Sequence, residues 1–243
     1  MLNKARPFFT RLMTPVGEAL ARTPVTPNAV TVTGTIGVAA GVLWGYPTGH
    51  LFFGTLIATI FVFTDMLDGV LARLKGTSGP WGAFLDSTMD RVADAATFSG
   101  LAAWFVLGGH NLLLAGVSLF CLVSGALVSY VKARAEGLGV KANVGIAERP
   151  ERMVVTYVAV GLSGLGVPYI LQIGLWGLAA ASVITLGQRM VAVHRGMAAA
   201  TEPPATVPEP EPEPPAPEPP AAEPEPPAAE PPAPAAKATQ PID

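Results

Sequence analysis

Charged side chains are scarce in this sequence, and histidine and cysteine are scarcer still. Asp, Glu, Lys and Arg make up 14% of the 243 residues against 50% apolar, and mean hydropathy is +0.44. Such a composition reads as an integral membrane protein and excludes a water-soluble domain. The single cysteine, Cys121, has no partner for an internal disulfide. It sits in an apolar run, where it reads as a small buried apolar residue. A cleavable signal peptide is not expected either, because the first twenty residues are amphipathic and charged throughout.

The places where charge is missing entirely give the architecture. Residues 23–64, 95–131 and 153–188 contain no Asp, Glu, Lys or Arg. Each stretch is close to twice the roughly 20 residues that one helix needs to cross a bilayer. Each also has a turn signal near its middle: Gly45-Tyr46-Pro47-Thr48-Gly49-His50, Gly108-Gly109-His110-Asn111 and Ser163-Gly164-Leu165-Gly166-Val167-Pro168. Three helical hairpins follow. The expected fold is all-α, with six transmembrane helices near 28–46, 51–75, 82–107, 112–136, 149–165 and 168–194. Residues 3–22 read as an amphipathic helix lying in the membrane interface, with a plain cytoplasmic leader as the alternative. The chain thus divides into a juxtamembrane segment (1–24), a six-helix domain (25–198) and a tail (199–243).

The formal net charge of -3 averages two unlike parts. Residues 201–243 hold nine acids, one lysine and 17 of the 25 prolines, so the tail cannot bury a core and should be disordered, without a catalytic role. Residues 1–200 hold 14 Lys/Arg against nine Asp/Glu, and that net basic character suits anionic lipid headgroups or phosphorylated substrates. No nucleic-acid partner is expected. The three mid-hairpin turns carry no Lys or Arg, and the basic residues lie at the opposite helix ends. The positive-inside rule then puts both termini and this face in the cytoplasm of a multi-pass cell-membrane protein.

All five aspartates of the membrane part fall between positions 65 and 94. Four form the string Asp65-x-x-Asp68-Gly69-x-x-Ala72-Arg73, eight residues, Gly82-x-x-x-Asp86-x-x-x-Asp90. Asp65 and Asp68 share one helix face, and Asp86 and Asp90 share another. The turn from Lys75 to Gly82 makes the two helices antiparallel neighbours whose acidic faces can meet. A single acid here could cap a helix or pair with Arg73 or Arg91. Four converging carboxylates would repel one another without a cation, and ionisable groups in membrane segments usually mark a site. With no His or Cys in the cluster, zinc and iron are disfavoured. The hard ions Mg²⁺ or Mn²⁺ fit all-oxygen ligands. Gly69 and Ala72 remove bulk beside the acids, as a closely approaching ligand requires. Asp94 continues the series partly off that face and reads as a supporting residue.

The string resembles the signature of the CDP-alcohol phosphotransferase family, D-x2-D-G-x2-A-R-x8-G-x3-D-x3-D, which residues 65–90 match without departure. The resemblance covers about 28–195. It implies cleavage of the diphosphate of a CDP-linked donor, transfer of the phosphoryl-alcohol part to an acceptor hydroxyl, and release of CMP. It further implies that Asp65, Asp68 and Asp86 hold one metal ion, that Asp65, Asp86 and Asp90 hold a second, and that Asp90 takes the acceptor's proton. Gly69, Ala72 and Arg73 would contact the CDP part. The segment Thr26-Pro27-Asn28-Ala29-Val30-Thr31 resembles the family's nucleotide-contacting start of the first transmembrane helix, with Gly79 a further candidate for the same pocket. A homodimer is implied by the resemblance alone.

A basic cluster bears on the acceptor. Ser129-Tyr130-Val131-Lys132-Ala133-Arg134-Ala135-Glu136 ends the fourth expected transmembrane helix, Glu148-Arg149-Pro150-Glu151-Arg152 opens the fifth, and Arg189 closes the sixth. Headgroup snorkelling would account for any one of these. Convergence from three helices favours an anion pocket, for which guanidinium forks are suited. The first two strings resemble the actinobacterial phosphatidylinositol phosphate synthase branch of the family, in which CDP-diacylglycerol meets 1D-myo-inositol 3-phosphate. The resemblance would make Ser129, Lys132, Arg134, Arg152 and Arg189 ligands of the acceptor phosphate. Two alternatives stay open: a phosphatidylglycerophosphate synthase using glycerol 3-phosphate, and a non-enzymatic cation transporter.

Overall fold

The computed structural model describes residues 6–201, with side chains described for 14–64 and 67–198. The tail expected over 199–243 lies almost wholly outside the described residues, as does the start of the N-terminal segment. Every described element is a helix: α1 (Arg6–Ala21), α2 (Pro27–Gly45), α3 (Leu51–Leu74), α4 (Pro80–Leu107), α5 (Leu112–Glu136), α6 (Arg149–Gly164) and α7 (Ile170–Thr201).

Local chemistry sets the ends. Thr26 caps α2, accepting the Ala29 amide at 3.2 Å, and Pro27 follows at the first helical position, where a missing N–H costs nothing. Asn111 caps α5 in the same way, accepting the Leu114 amide at 3.0 Å. α3 stops at Gly76, whose φ of +65° turns the chain while the Thr77 amide closes back onto the Ala72 carbonyl at 3.0 Å.

Four helices are long and apolar enough to cross a membrane: Pro27–Gly45, Leu51–Leu74, Leu112–Glu136 and Ile170–Ala198. α4 carries Asp86, Asp90, Arg91 and Asp94 in its first half, and α6 has only 16 residues. Large apolar residues such as Ile36, Phe53, Leu112 and Ile173 are exposed around the bundle, as a lipid-facing surface requires. The chain reads as a multi-pass membrane protein.

Glycines let the helices approach. α2 lays Gly37, Gly41 and Gly45 against Phe61, Ile57 and Gly54 of α3, and a Cβ at any of the three would collide with α3. The spacing of four residues keeps them on one face. This seam lies within the bundle. α2 also packs on α4, α4 on α5, α5 on α7, α3 on α6, α6 on α7 and α1 on α3. Tyr46, Phe98, Leu101, Phe105, Leu171 and Leu175 fill the main core.

One expectation is altered. Among the described residues α3 and α4 do not pack closely on each other; α2 packs on both. The two acid-bearing helices are therefore held in place through α2 rather than by a tight seam of their own. As for α1, it is a helix, and its buried Gly17 sits beneath Val70 of α3. Its amphipathic character rests largely on side chains outside the described residues.

Candidate active site

The acids divide into two groups with different surroundings. Asp68, in the penultimate turns of α3, accepts a hydrogen bond from the Thr31 hydroxyl of α2. Asp86, near the start of α4, lies close enough to Asp68 for the two carboxylates to repel each other. Among the described residues neither has a lysine or arginine at ion-pair distance. The side chain of Asp65 lies outside the described residues.

Further along α4 the acids are paired. Asp90 meets Arg149 of α6, Oδ1 to Nη1, at 2.8 Å, and Arg91 Nη1 approaches its Oδ2 at 3.8 Å. Asp94, one turn on, accepts from Arg149 Nε at 3.2 Å and from Arg152 Nη2 at 2.6 Å. A continuous chain Asp90–Arg149–Asp94–Arg152 thus joins the aspartate ladder to the basic cluster. Arg149 and Arg152 are three apart at the start of α6, so both reach the same face of α4.

The donor set suits a hard divalent ion: Asp68 and Asp86, without a cationic partner among the described residues, a hydroxyl beside Asp68, and no sulfur or imidazole in the sequence string. Among the described residues no group of three His, Cys, Asp or Glu side chains converges on a common point. The remaining acid of the sequence string, Asp65, stands one turn before Asp68 on α3.

The residues expected to contact CDP lie around this cluster. Asn28 and Ala29 occupy the first turn of α2, and Asn28 Oδ1 would stand 3.9 Å from a Cβ placed on Gly82 of α4. Val30 is buried with Leu67 and Leu71 in a small apolar cluster, so part of its role is packing. Gly69 has only Arg73 Nη1 near its missing Cβ, at 3.7 Å, and nothing lies within 4 Å of that position on Gly79. Neither glycine is demanded by the chain's own packing. Gly79 is extended, with φ of -166°, which any residue adopts. Ala72 is half-buried and Arg73 is exposed in the last turn of α3. Lys75, which the sequence marked only as the start of a turn, donates from Nζ to the Thr23 and Val25 carbonyls at 2.8 and 2.7 Å, tying the α1–α2 linker to the end of α3.

The acceptor candidates are less uniform. Ser129 is half-buried, Lys132 stands 4.0 Å from Glu136, and Arg134 is exposed in the last turn of α5. Arg189 is buried, donating to the carbonyls of Val144 at 2.9 Å and Val128 at 2.6 Å and to Glu148 at 3.2 Å. Those bonds pin the α5–α6 loop to α7. Arg152 is buried beneath Gly125 of α5, where a Cβ would strike the guanidinium, and its Nε and Nη1 have no hydrogen-bond partner. An uncompensated donor at that depth costs roughly 1–3 kcal/mol, so it points to a ligand. A cavity of about 350 Å³ between α6 and α7 includes Arg152, although Ile146, Val155, Ile173 and Leu178 make most of its wall apolar.

Known proteins with this arrangement are similar along nearly the whole helical region. The sequence profile of the CDP-alcohol phosphatidyltransferase family matches residues 24–187. The chain is 51% identical over 208 residues to a phosphatidylinositol phosphate synthase of Streptomyces avermitilis, covering 82% of this chain and 85% of that protein. It is 41% identical over 192 residues to one from Mycobacterium tuberculosis, covering 78% and 88%. The crystal structure of the Mycobacterium tuberculosis phosphatidylinositol phosphate synthase (PgsA1) with CDP-DAG bound superposes with a TM-score of 0.75 at 40% identity, over 80% of this chain and 99% of that one. The same protein in complex with manganese and citrate gives 0.74 at 40% identity, over 79% and 93%. The chain belongs to the CDP-alcohol phosphatidyltransferase family.

Proposed function

We propose that this protein transfers the phosphatidyl group of CDP-diacylglycerol to 1D-myo-inositol 3-phosphate, giving phosphatidylinositol phosphate and CMP. The observation that carries the acceptor assignment is Arg152: a buried guanidinium with two unpartnered donor nitrogens, linked through Asp94 to the aspartate ladder. That arrangement suits a phosphorylated alcohol better than a neutral one. The high identity to proteins named phosphatidylinositol phosphate synthase supports the choice of inositol phosphate.

In this reading Asp65, Asp68, Asp86 and Asp90 hold magnesium or manganese, two ions in all. When bound, the metal would neutralise the donor diphosphate and acidify the acceptor hydroxyl. Asn28, Ala29, Val30, Thr31, Gly69, Ala72, Arg73 and Gly79 form the CDP pocket. Ser129, Lys132, Arg134, Arg152 and Arg189 orient the acceptor phosphate. Asp90 accepts the hydroxyl proton as the acceptor oxygen bonds to the β-phosphorus, and the bond from that phosphorus to the bridging oxygen breaks to release CMP. Six helices cross the cell membrane with the site on the cytoplasmic side; the N-terminal segment leads into a catalytic domain over 25–198, and the tail from 199 takes no part in the chemistry. The protein acts as a homodimer.

The test is acceptor competition. Purified protein with Mg²⁺ and CDP-diacylglycerol is offered inositol phosphate, glycerol 3-phosphate, serine and free inositol separately, and CMP release is measured. Release with inositol phosphate alone is expected. Release with glycerol 3-phosphate alone would overturn the acceptor assignment, and metal-independent ion flux without CMP release would overturn the enzyme.

A further inference from the structure

Arg149 stands between two carboxylates with different duties. Its Nη1 lies 2.8 Å from Asp90, the acid proposed to bind metal and take a proton, and its Nε lies 3.2 Å from Asp94, which is also held by Arg152. The guanidinium fork spans both, so a single cation is shared between Asp90 and Asp94. A carboxylate oxygen engaged by a guanidinium at 2.8 Å has one lone pair and much of its charge committed. Arg149 opens α6, and α6 is the helix that carries Arg152. Asp90 and Arg152 are therefore linked through Arg149 and Asp94 and by a shared helix.

We propose that Arg149 is an exchangeable counter-ion of Asp90, a positioning residue that competes with the divalent metal for that carboxylate. With Asp90 engaged by a divalent ion, Arg149 would give up its Nη1 contact there and keep its Nε contact with Asp94, pivoting rather than leaving. Arg149 lies three residues before Arg152 on α6, so a displaced Nη1 would add positive charge on the helix face that carries Arg152. Metal loading and affinity for the phosphorylated acceptor are then coupled, each strengthening the other by the same factor. This rests on the reading of Asp90 as a metal ligand.

The experiment measures Mn²⁺ binding by electron paramagnetic resonance to purified, detergent-solubilised full-length protein, with and without inorganic phosphate. Arg149→Gln is expected to bind Mn²⁺ about tenfold more tightly than the unaltered protein, the loss of one charged hydrogen bond, and to lose the enhancement by phosphate. Arg91→Gln removes the same charge from a position 3.8 Å from Asp90 and controls for the general field. Equal tightening in both variants would overturn the exchange and leave only a long-range charge effect. Arg149→Lys keeps the charge but cannot span both acids; it serves where the glutamine variant fails to assemble and should also bind Mn²⁺ more tightly. Unchanged or weaker Mn²⁺ binding in the arginine variants would end the proposal while sparing the metal site. No Mn²⁺ binding by the unaltered protein would remove both.

Discussion

Asp94 on α4 holds the buried guanidinium of Arg152 at 2.6 Å, across a sequence separation of 58 residues. Arg152 is 1% exposed, so the pair sits where an isolated charge is expensive. Asp94→Asn is expected to destabilise the protein by about 3–5 kcal/mol, the cost of leaving one partner of a buried pair behind. Thermal unfolding in detergent measures this. The double variant Asp94→Asn with Arg152→Met should recover much of the loss in stability, though not the activity.

The Thr31 hydroxyl joins α2 to α3 through Asp68. Removing it without changing volume, in Thr31→Val, should raise the KM for CDP-diacylglycerol about fivefold, corresponding to one hydrogen bond of about 1 kcal/mol. Thr31→Ser should retain near-normal kinetics. Equal kinetics for the valine and serine variants would show that the hydroxyl plays no part.

Asp90→Asn keeps the shape of the side chain and removes its charge. CMP release should fall by about 10²–10⁴-fold, the range for loss of a general base, with Mn²⁺ binding only partly weakened. Chelation of divalent metal should abolish release from the unaltered protein reversibly. Turnover by Asp90→Asn close to normal would remove this residue as the base.

Lys75 reaches two carbonyls of the α1–α2 linker from the end of α3. Its substitution by Met should loosen the start of α2 and raise the KM for CDP-diacylglycerol by roughly tenfold while kcat changes less. Lys75→Arg keeps the charge and the donors and should restore most of the affinity. An equal fall in kcat and stability, with KM unmoved, would mark a purely architectural role.

Most helix boundaries were legible because they follow from chemistry that acts locally. The charge-free runs and their Gly-, Pro- and Asn-rich turns place α2, α3 and α5 within a residue or two of the structure. α7 is the exception: expected from 168 to 194, it starts at Ile170, after Tyr169 adopts φ of +59°, and runs on to Thr201. The ending was missed because a membrane boundary does not stop a helix whose continuation is rich in Ala and Met. The clustering of the aspartates between 65 and 94 was legible from the sequence alone, and the cation site proposed there rests on that clustering. The lack of a close α3–α4 seam among the described residues was not legible, because it depends on α2 packing against both. Arg149 was visible as one member of a basic run, yet nothing in the sequence says that it turns toward Asp90 and Asp94. The i, i+3 spacing of Arg149 and Arg152, set against the i, i+4 spacing of Asp90 and Asp94, was the available signal.

Gly125 carries no functional group, yet it decides where a positive charge resides. The Arg152 guanidinium lies directly over it, within 3 Å of where a methyl group would stand. A Gly125→Ala change adds only a methyl group, yet it would force the Arg152 guanidinium to move from its present place. Inventories of charged residues alone would miss the position, and variation there should be interpreted as variation in electrostatics.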